Sequence, residues 1–445
     1  MPANVTKKLS ALSTGVGLVL LCYMAYATIY GPYKTTFVHL AIFALCSFVA
    51  LFLDSIIQNI RSKFGILKNF SLLVASVSVL GYFIVEFERL INLWGSTYLS
   101  SWDILLGGLF VIICIEASWR QSLVLGALAV TSCLYMLFGD YLPGVFSHAG
   151  MDFERFIYIV VYTSEGLFGT GLKVAATYLF MFVILGSVLR VTKTGDFMID
   201  MANGLLGSKV GGAAKGAMAA SAGLGTIVGS SIGNVLATGT FTIPLMKRTG
   251  FEPHVAAAVE TNTSEGAQLV PPILGASAFI MAQLTGIPYE VIALAAVVPA
   301  SLYYLSLYSV VHIEALKHNI SGLPEEEIPS IKKTFTRGWH LLVAPISLFY
   351  LLLVGSYTVT FASLIAIFIA VFFGLLRKHT RFSVKELIIF LSEGLSQSAR
   401  ITALVISIGL IQAAIVATGL GPRLTDIILD FSNGSLLMTA SLTVV

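Results

Sequence analysis

Two short runs of small and polar residues interrupt segments that are otherwise apolar enough to lie in a membrane. The first is Gly229-Ser230-Ser231-Ile232-Gly233-Asn234, and the second is Ser264-Glu265-Gly266-Ala267-Gln268 followed by Pro271-Pro272. Unwound backbone at membrane depth leaves N–H and C=O groups without partners, which costs several kcal/mol per group in hydrocarbon. Such breaks survive only where protein buries them or where they line a wet cavity. The two runs therefore predict a binding site near the bilayer midplane.

The residue types in these runs suit a small cation and an anion side by side. Hydroxyl and amide oxygens, with the carbonyls that end one helical arm, can coordinate a small cation, and the N–H groups that begin the next arm can hold a carboxylate. The second run places polar side chains within about two helical turns, a density that marks a substrate or ion path inside a span. These side chains are Asn262, Thr263, Ser264, Glu265 and Gln268. A glycine-rich packing face without a ligand, or a cytoplasmic loop for the second run, are the alternatives that the residues leave open.

Composition places both runs in a polytopic membrane protein. Of the 445 residues, 57% are hydrophobic and only 11% are charged, and the mean hydropathy is +0.90. A soluble domain carries about 25% charged residues. The apolar runs are longer than the ~10-residue alternating strands of outer-membrane barrels. The predicted fold class is therefore an all-α polytopic membrane protein.

Runs long enough to cross a bilayer, about 20 apolar residues each, predict the spans. They are Leu9–Tyr30, Thr36–Ile57, Phe70–Leu90, Asp103–Trp119, Gln121–Phe138, Leu172–Val191, Glu290–Val311, Trp339–Val354, Val359–Leu376 and Ser398–Thr418. The glycine-rich segment 209–248 predicts a re-entrant helical hairpin. Residues 253–284 predict a broken helix that stops near Asn262–Gly266 and resumes after Pro271-Pro272, because proline is tolerated only in the first turn of a helix. Short amphipathic pieces at Phe153–Phe168, Phe197–Leu206 and Val384–Leu395 are expected at the membrane interface.

The distribution of positive charge predicts the orientation of these spans. Most of the 26 Lys and Arg residues fall on one side when the N-terminus is cytoplasmic. This holds only if the hairpin enters and leaves on the cytoplasmic side, since Lys209 and Lys215 precede it and Lys247 and Arg248 follow it. Residues 318–338, which carry charges of both signs, are predicted to form a cytoplasmic linker between 141–317 and 339–445.

Further stretches share a joint pattern over at least residues 100–310. They are Ile115-Glu116-Ala117, Tyr141-Leu142-Pro143-Gly144, Thr163-Ser164-Glu165-Gly166-Leu167-Phe168-Gly169, Gly229-Ser230-Ser231, the run from Thr238 to Gly250, and Gln268 with Pro271-Pro272. Together these stretches resemble the fused membrane subunit of a tripartite ATP-independent periplasmic (TRAP) transporter of the type that works with TAXI binding proteins.

The resemblance implies an organisation and a function. Residues 1–140 would correspond to the small membrane subunit, and 141–317, with the hairpin 209–248 and the broken helix 253–284, to the first of two inverted repeats of an elevator-type carrier. Sodium would drive import of a small carboxylate that a soluble TAXI-type receptor hands over at a prokaryotic cytoplasmic (inner) membrane. Such a protein is not an enzyme; it uses sodium as its coupling ion, needs no cofactor and binds no nucleic acid.

The resemblance also implies site residues. The cation-binding set is Gly229, Ser230, Ser231, Asn234, Asn262, Thr263, Ser264 and Glu265; the substrate-binding set is Gly233, Gly266, Gln268 and Pro271. The chain departs from the family pattern at Val228, where Ser is usual, at Gly233, where Ala is usual, and at Glu265, where a small or neutral residue is usual. Because the sequence stops within an apolar run at Thr443-Val444-Val445, it is expected to be a fragment that begins the second repeat without completing it.

Three other classes stay open on the sequence. A receptor-independent sodium–dicarboxylate symporter of another elevator family would share the fold and the cation. An intramembrane serine hydrolase would pair Ser230 or Ser231 with His254, but no HExxH motif or carboxylate dyad supports it. An inactive scaffold is the third.

Overall fold

Helices account for every regular element in the part of the chain that the computed structural model describes, which is residues 3–58, 62–92, 98–228, 231–271, 273–355, 357–432, 435, 438–439 and 441. Hydrocarbon favours this outcome because an α-helix satisfies its backbone groups within one segment. Ten helices in the described part are long and apolar enough to cross a membrane. The prediction of an all-α polytopic membrane protein is confirmed.

The α-helices follow one another with short connections. In chain order they are α1 Ala3–Tyr30, α2 Thr36–Gln58, α3 Lys63–Val85, α4 Phe87–Asn92, α5 Ser101–Gln121, α6 Leu123–Phe138, α7 Phe153–Tyr162, α8 Thr170–Val174, α9 Phe180–Val191, α10 Thr194–Leu206, α11 Gly212–Val228, α12 Ser231–Arg248, α13 Pro253–Gly266, α14 Ala276–Thr285, α15 Tyr289–Lys317, α16 Ile331–Gly338, α17 Val343–Leu353, α18 Val359–Leu376, α19 Val384–Ala417 and α20 Leu420–Ser432. A π-helical segment, Ala175–Leu179, joins α8 to α9.

The ten membrane-length helices overlap the ten unbroken spans expected from the sequence. One boundary prediction is wrong. The amphipathic piece Val384–Leu395 is not separate from the span Ser398–Thr418, because both belong to α19, a single helix of 34 residues. No proline interrupts this stretch, so nothing in the backbone chemistry forces a break there.

The chain forms two compact units. The first comprises Met1–Leu21, Pro32–Ala176 and Ser398–Val445. Its core contains an aromatic cluster around Phe83, whose ring centroid lies 5.5–6.2 Å from those of Phe37, Phe110, Tyr162 and Phe168. Helix α2 is the most enclosed helix of this cluster, and its Phe43, Phe48 and Phe52 are fully buried. Aromatic burial of this kind gives the unit a dense interior.

The second unit comprises Cys22–Gly31 and Thr177–Gln397 and contains both interrupted elements predicted from the sequence. Its core includes buried alanines of α11 packed against Met246, Phe251 and Val259. Small side chains on α11 let neighbouring helices approach its backbone closely, which is the usual way that helices associate in lipid. The boundaries at residues 140, 317 and 338 stay predictions.

Candidate cation and substrate site

Helices α11 and α12 pack against each other as a helical hairpin, and α13 packs on both of them. Close approach depends on glycine. A Cβ placed on Gly225 of α11 would lie 2.2 Å from the Cβ of Ala267, so no side chain fits there. The residues that join the two arms, Gly229 and Ser230, belong to the predicted cation site but lie outside the described residues. Ser231, the first residue of α12, is half-buried.

Asn234 is the predicted site residue that the structure encloses most completely. Its side chain is fully buried on the first turn of α12. The amide nitrogen donates to the carbonyl of Ser221 at 3.0 Å and to the hydroxyl of the same residue at 2.7 Å. The amide oxygen, Oδ1, has no hydrogen-bond partner among the described residues. A buried acceptor without a donor lowers the stability of the folded protein, and such acceptors are rare in native structures.

The second element is interrupted where the sequence predicts, at the last residue of the expected stretch. Helix α13 continues through Asn262, Thr263, Ser264 and Glu265 and ends at Gly266. A 3₁₀ turn at Ala267–Leu269 and irregular backbone at residues 270–271 and 273–275 precede α14. The helix thus ends within the predicted stretch Asn262–Gly266, and the next helix begins after Pro271-Pro272 as predicted.

The polar side chains do not break α13 because two of them bond to the helix that carries them. The hydroxyl of Thr263 donates to the carbonyl of Val259 at 2.6 Å, and the amide of Asn262 donates to the carbonyl of Ala258 at 2.8 Å. Side chains that bond back one turn are compatible with continued helix. Pro271 sits two residues beyond the 3₁₀ turn, where the missing N–H costs no helical bond.

Tyrosines of helix α15 form hydrogen bonds with backbone groups at the break. The hydroxyl of Tyr303 donates to the carbonyl of Asn262 at 2.8 Å, and that of Tyr304 donates to the carbonyl of Thr263 at 2.9 Å. The N–H of Leu274 donates to the hydroxyl of Tyr289 at 3.0 Å. All three tyrosines lie on α15, so this one helix supplies both acceptors and donors for the interrupted backbone.

The predicted residues separate into an enclosed and an exposed group. Asn234 and Ser264 are connected through Ser221, whose hydroxyl lies 3.3 Å from that of Ser264. Asn262 and Glu265 are exposed instead, and Glu265 accepts a 3.0 Å hydrogen bond from the amide of Gln268. Gly266 is buried under the ring of Tyr303, and Pro271 lines a cavity of about 260 Å³. Gly233 lies in the first turn of α12, one residue before Asn234.

A buried carboxylate that the sequence analysis missed completes the enclosed group. Glu260 on α13 is 1% exposed, and it accepts hydrogen bonds from the hydroxyls of Thr238, Thr242 and Ser264. It forms no ion pair with any residue that the structure describes. Two features of the sequence could have indicated this contact. Glu260 is an acidic residue in an apolar stretch, one helical turn before Ser264, and Thr238 and Thr242 are spaced one helical turn apart, so that both can face the same partner.

The enclosed group is rich in oxygen and lacks soft ligands. In the described part of the chain, no cluster of three or more His, Cys, Asp or Glu could hold a metal ion. Hydroxyl, amide and carboxylate oxygens are ligands for hard cations. A continuous path of hydrogen bonds runs from Asn234 through Ser221 and Ser264 to Glu260, so a charge bound at one end would be felt along the whole path.

Comparison with known families identifies the chain. A sequence profile of the family described as Tripartite ATP-independent periplasmic transporter, DctM component, matches residues 106–445. The chain belongs to the DctM family. It is therefore the membrane permease component of a TRAP transporter and a multi-pass membrane protein, and proteins of this family work with a periplasmic solute-binding protein. No curated protein matches the chain.

The DctM match bears on several expectations from the sequence. The resemblance to TRAP permeases is confirmed at the level of the family. Membership of a transporter family agrees with the expectation that the chain is not an enzyme. The hairpin and the broken helix both lie inside the matched residues, whereas residues 1–105, most of the predicted small-subunit part, lie outside them.

Proposed function

We propose that this DctM-family permease imports a small carboxylate by sodium-coupled elevator transport, and that a TAXI-type binding protein delivers the substrate. The proposal places the chain in a prokaryotic inner membrane with its N-terminus in the cytoplasm, as the Lys and Arg distribution predicts. The family supplies the permease role and the binding-protein partner. The coupling ion, the substrate class and the movement rest on the site and on the resemblance of its motifs.

The observation that carries the proposal is the uncompensated polarity around Asn234 and Glu260. Asn234 presents a buried amide oxygen without a donor, and Glu260 presents a buried carboxylate without a cation, in the part of the chain that the structure describes. Ser221 and Ser264 connect the two. One small cation bound within this group would coordinate the amide oxygen and offset the negative charge. Without it, the unpartnered oxygen and the uncompensated charge are both unfavourable inside a protein.

The structure supports some predicted cation ligands more strongly than others. Asn234 and Ser264 are enclosed in the polar group, and Ser231 lies one turn from Asn234. Thr263 donates its hydroxyl to its own helix, and Asn262 and Glu265 are exposed. We therefore place the ion nearest Asn234 and Ser264, with Ser221 and Glu260 as additional oxygen groups.

The proposed substrate position is the region of Gly266, Gln268 and Pro271, with Gly233 on the hairpin side. Helix α14 begins at Ala276 after the break without a side-chain cap. An uncapped helix N-terminus favours an anion such as a carboxylate through its N–H groups and its dipole. This feature agrees with an organic acid as substrate but does not select one.

Sodium binding to the full chain tests the proposal without knowledge of the substrate. The purified permease in detergent should bind ²²Na⁺ saturably, and unlabelled Na⁺ but not K⁺ or choline should displace it. Asn234→Ala should lower the affinity at least tenfold, because it removes the unpartnered oxygen. The matched control, Asn262→Ala on exposed α13 surface, should leave affinity unchanged. Absence of saturable binding, or displacement by K⁺ as readily as by Na⁺, would contradict sodium coupling.

A transport measurement tests the rest of the function. Proteoliposomes that contain the full chain and a TAXI-type binding protein should accumulate labelled organic acids only with an inward Na⁺ gradient. Uptake that needs no binding protein would instead support the receptor-independent class.

A further inference from the structure

A polar cavity of about 800 Å³ lies within the first unit, between the C-terminal ends of α2 and α5, the start of α3, and α19. Its size is in the range of small-molecule and headgroup sites. The Lys and Arg distribution predicts that this end of α2, α3 and α5 faces the cytoplasm. None of the residues of the proposed sodium site lines this cavity.

The charged side chains of the cavity carry one positive charge in excess. Lys68, Arg120 and Arg400 face the carboxylates of Asp54 and Glu116. Glu116 already accepts from Lys68 and from Arg120, each at 2.8 Å. Arg400 forms no ion pair with any residue in the described ranges. Arg400 therefore has no carboxylate partner, and the neighbouring Lys68 and Arg120 share the single carboxylate of Glu116. Such a set of cations is suited to binding a phosphate group.

A buried amide in the same cavity calls for a hydrogen-bond donor on the ligand. Asn69 lines the cavity and is 2% exposed, and its Oδ1 has no partner in the described part of the chain. A phosphate without protons offers only acceptors and would leave this oxygen unsatisfied. The ligand should therefore combine a phosphate with a hydroxyl or ammonium group.

The surface beside the cavity is apolar and exposed, as expected for a face covered by lipid chains. Phe64 and Leu67 on α3 are 78% and 67% exposed, and Leu123 and Val124 at the start of α6 are similarly open. Trp119, which lines the cavity, is also exposed, in agreement with the preference of tryptophan for the membrane interface. A headgroup in the cavity would leave its acyl chains next to this apolar surface.

We propose that this cavity binds the phosphoglycerol headgroup of an anionic phospholipid from the cytoplasmic leaflet. The phosphate lies against Arg400 with Lys68 and Arg120 nearby, and a glycerol hydroxyl donates to Oδ1 of Asn69. Basic pockets between transmembrane helices on the cytoplasmic side are suited to anionic headgroups. The excess positive charge favours phosphatidylglycerol over a zwitterionic lipid.

Binding of short-chain lipids to the delipidated full chain tests the proposal. Native mass spectrometry and thermal unfolding would compare dioctanoyl phosphatidylglycerol, dioctanoyl phosphatidylcholine and inorganic phosphate. We expect phosphatidylglycerol to bind and to raise Tm more than the other two. Arg400→Gln should weaken phosphatidylglycerol binding about fivefold. Lys385→Gln, which removes an exposed cation of the same helix outside the cavity, should leave binding unchanged.

Three results of the lipid-binding experiment would contradict the proposal. Equal binding of phosphatidylcholine and phosphatidylglycerol would overturn the choice of an anionic lipid, and equal stabilisation by inorganic phosphate would replace the lipid with a soluble phosphate compound. Unchanged phosphatidylglycerol affinity in Arg400→Gln would remove the cavity as the site. The lipid-free Tm of this variant shows whether it folds. If it does not, Lys68→Gln provides the same comparison from α3.

Discussion

The hydroxyl of Thr242 on α12 donates a 2.6 Å hydrogen bond to Oε2 of Glu260 on α13. Thr238, one turn earlier, donates to the other oxygen of the same carboxylate. Each threonine hydroxyl also lies within reach of a carbonyl one turn back on α12. Since a hydroxyl carries one proton, each threonine can direct it either to Glu260 or to its own helix. The two threonines therefore fix the position of Glu260 without depending on its charge.

Replacement of Glu260 by glutamine tests the contribution of that charge to the proposed cation site. Glutamine keeps the shape and one acceptor oxygen, and its amide can donate to a threonine that turns its own proton to the carbonyl one turn back. We expect Tm to change by only about 2 °C. The affinity for ²²Na⁺ should fall at least tenfold, because a buried carboxylate attracts a nearby cation strongly.

The exposed carboxylate of the same helix provides the control for this variant. Glu265→Gln removes an equal charge from an exposed side chain that already has a hydrogen-bond partner in Gln268. It should leave sodium affinity within about twofold of the wild type. Equal losses in both variants would show that net charge rather than the site around Glu260 controls affinity. An unchanged affinity in Glu260→Gln would exclude this carboxylate as a functional part of the site.

The sequence was sufficient to predict the elements but not the partners of their side chains. The break after α13 followed from its glycine and prolines, since backbone chemistry is local. Its exact position depended on Thr263 and Asn262 bonding to their own helix, which allows α13 to continue. Glu260 was overlooked because its importance arises from Thr238 and Thr242, which are near it only once α12 packs on α13. Glu265, more conspicuous in the sequence, is exposed.

The tyrosine hydroxyls at the break give a second prediction. Tyr304→Phe removes one of two donors to the carbonyl of Thr263, a buried residue near the end of α13; the other donor is the N–H of Ala267. Because the carbonyl keeps the N–H of Ala267, the variant loses one hydrogen bond without leaving an unsatisfied acceptor, which costs about 0.5–1.5 kcal/mol. We expect a lower Tm in detergent. Tyr350→Phe, at an exposed tyrosine of α17, should change stability by no more than about 0.5 kcal/mol. Equal Tm values for both variants would show that water or lipid replaces the Tyr304 hydroxyl.

The contact between Gly266 and Tyr303 gives a third prediction. A Cβ on Gly266 would lie 2.3 Å from the Tyr303 ring, so Gly266→Ala forces the ring or the end of α13 to move. Overpacking of this kind costs about 1–3 kcal/mol. Gly81→Ala is the matched control, because nothing lies within 4 Å of its added methyl group on α3. The control should be neutral or slightly stabilising, since alanine has the higher helix propensity. Similar thermal unfolding of the two variants would contradict the close contact.

The pair Asp196 and Asp200 on α10 gives a prediction of pH dependence outside the membrane-length helices. Burial, followed by the negative charge of Asp196, raises the pKa of Asp200 above its ordinary value, and Arg337 opposes the shift. The ordinary pKa of an aspartate, 3.8, applies to Asp200 in the unfolded state. Between this value and the higher pKa of the folded state, Asp200 holds its proton more often in the folded protein than in the unfolded protein. Across that window the stability contributed by Asp200 falls, and at neutral pH its ionised carboxylate lowers the free energy of unfolding.

Asp200→Asn should consequently raise Tm at pH 7.5, by only about 1 °C because the residue is exposed and solvent screens its charge. The gain should shrink toward pH 4, where Asp200 of the wild type takes up its proton. Glu326→Gln, at an exposed carboxylate of the 318–338 segment, should show no such trend. Thermal unfolding of the full chain at several pH values between 4 and 7.5 separates the outcomes. A gain that is independent of pH would mean that asparagine improves packing, and a loss at pH 7.5 would mean that attraction to Arg337 outweighs burial and repulsion from Asp196.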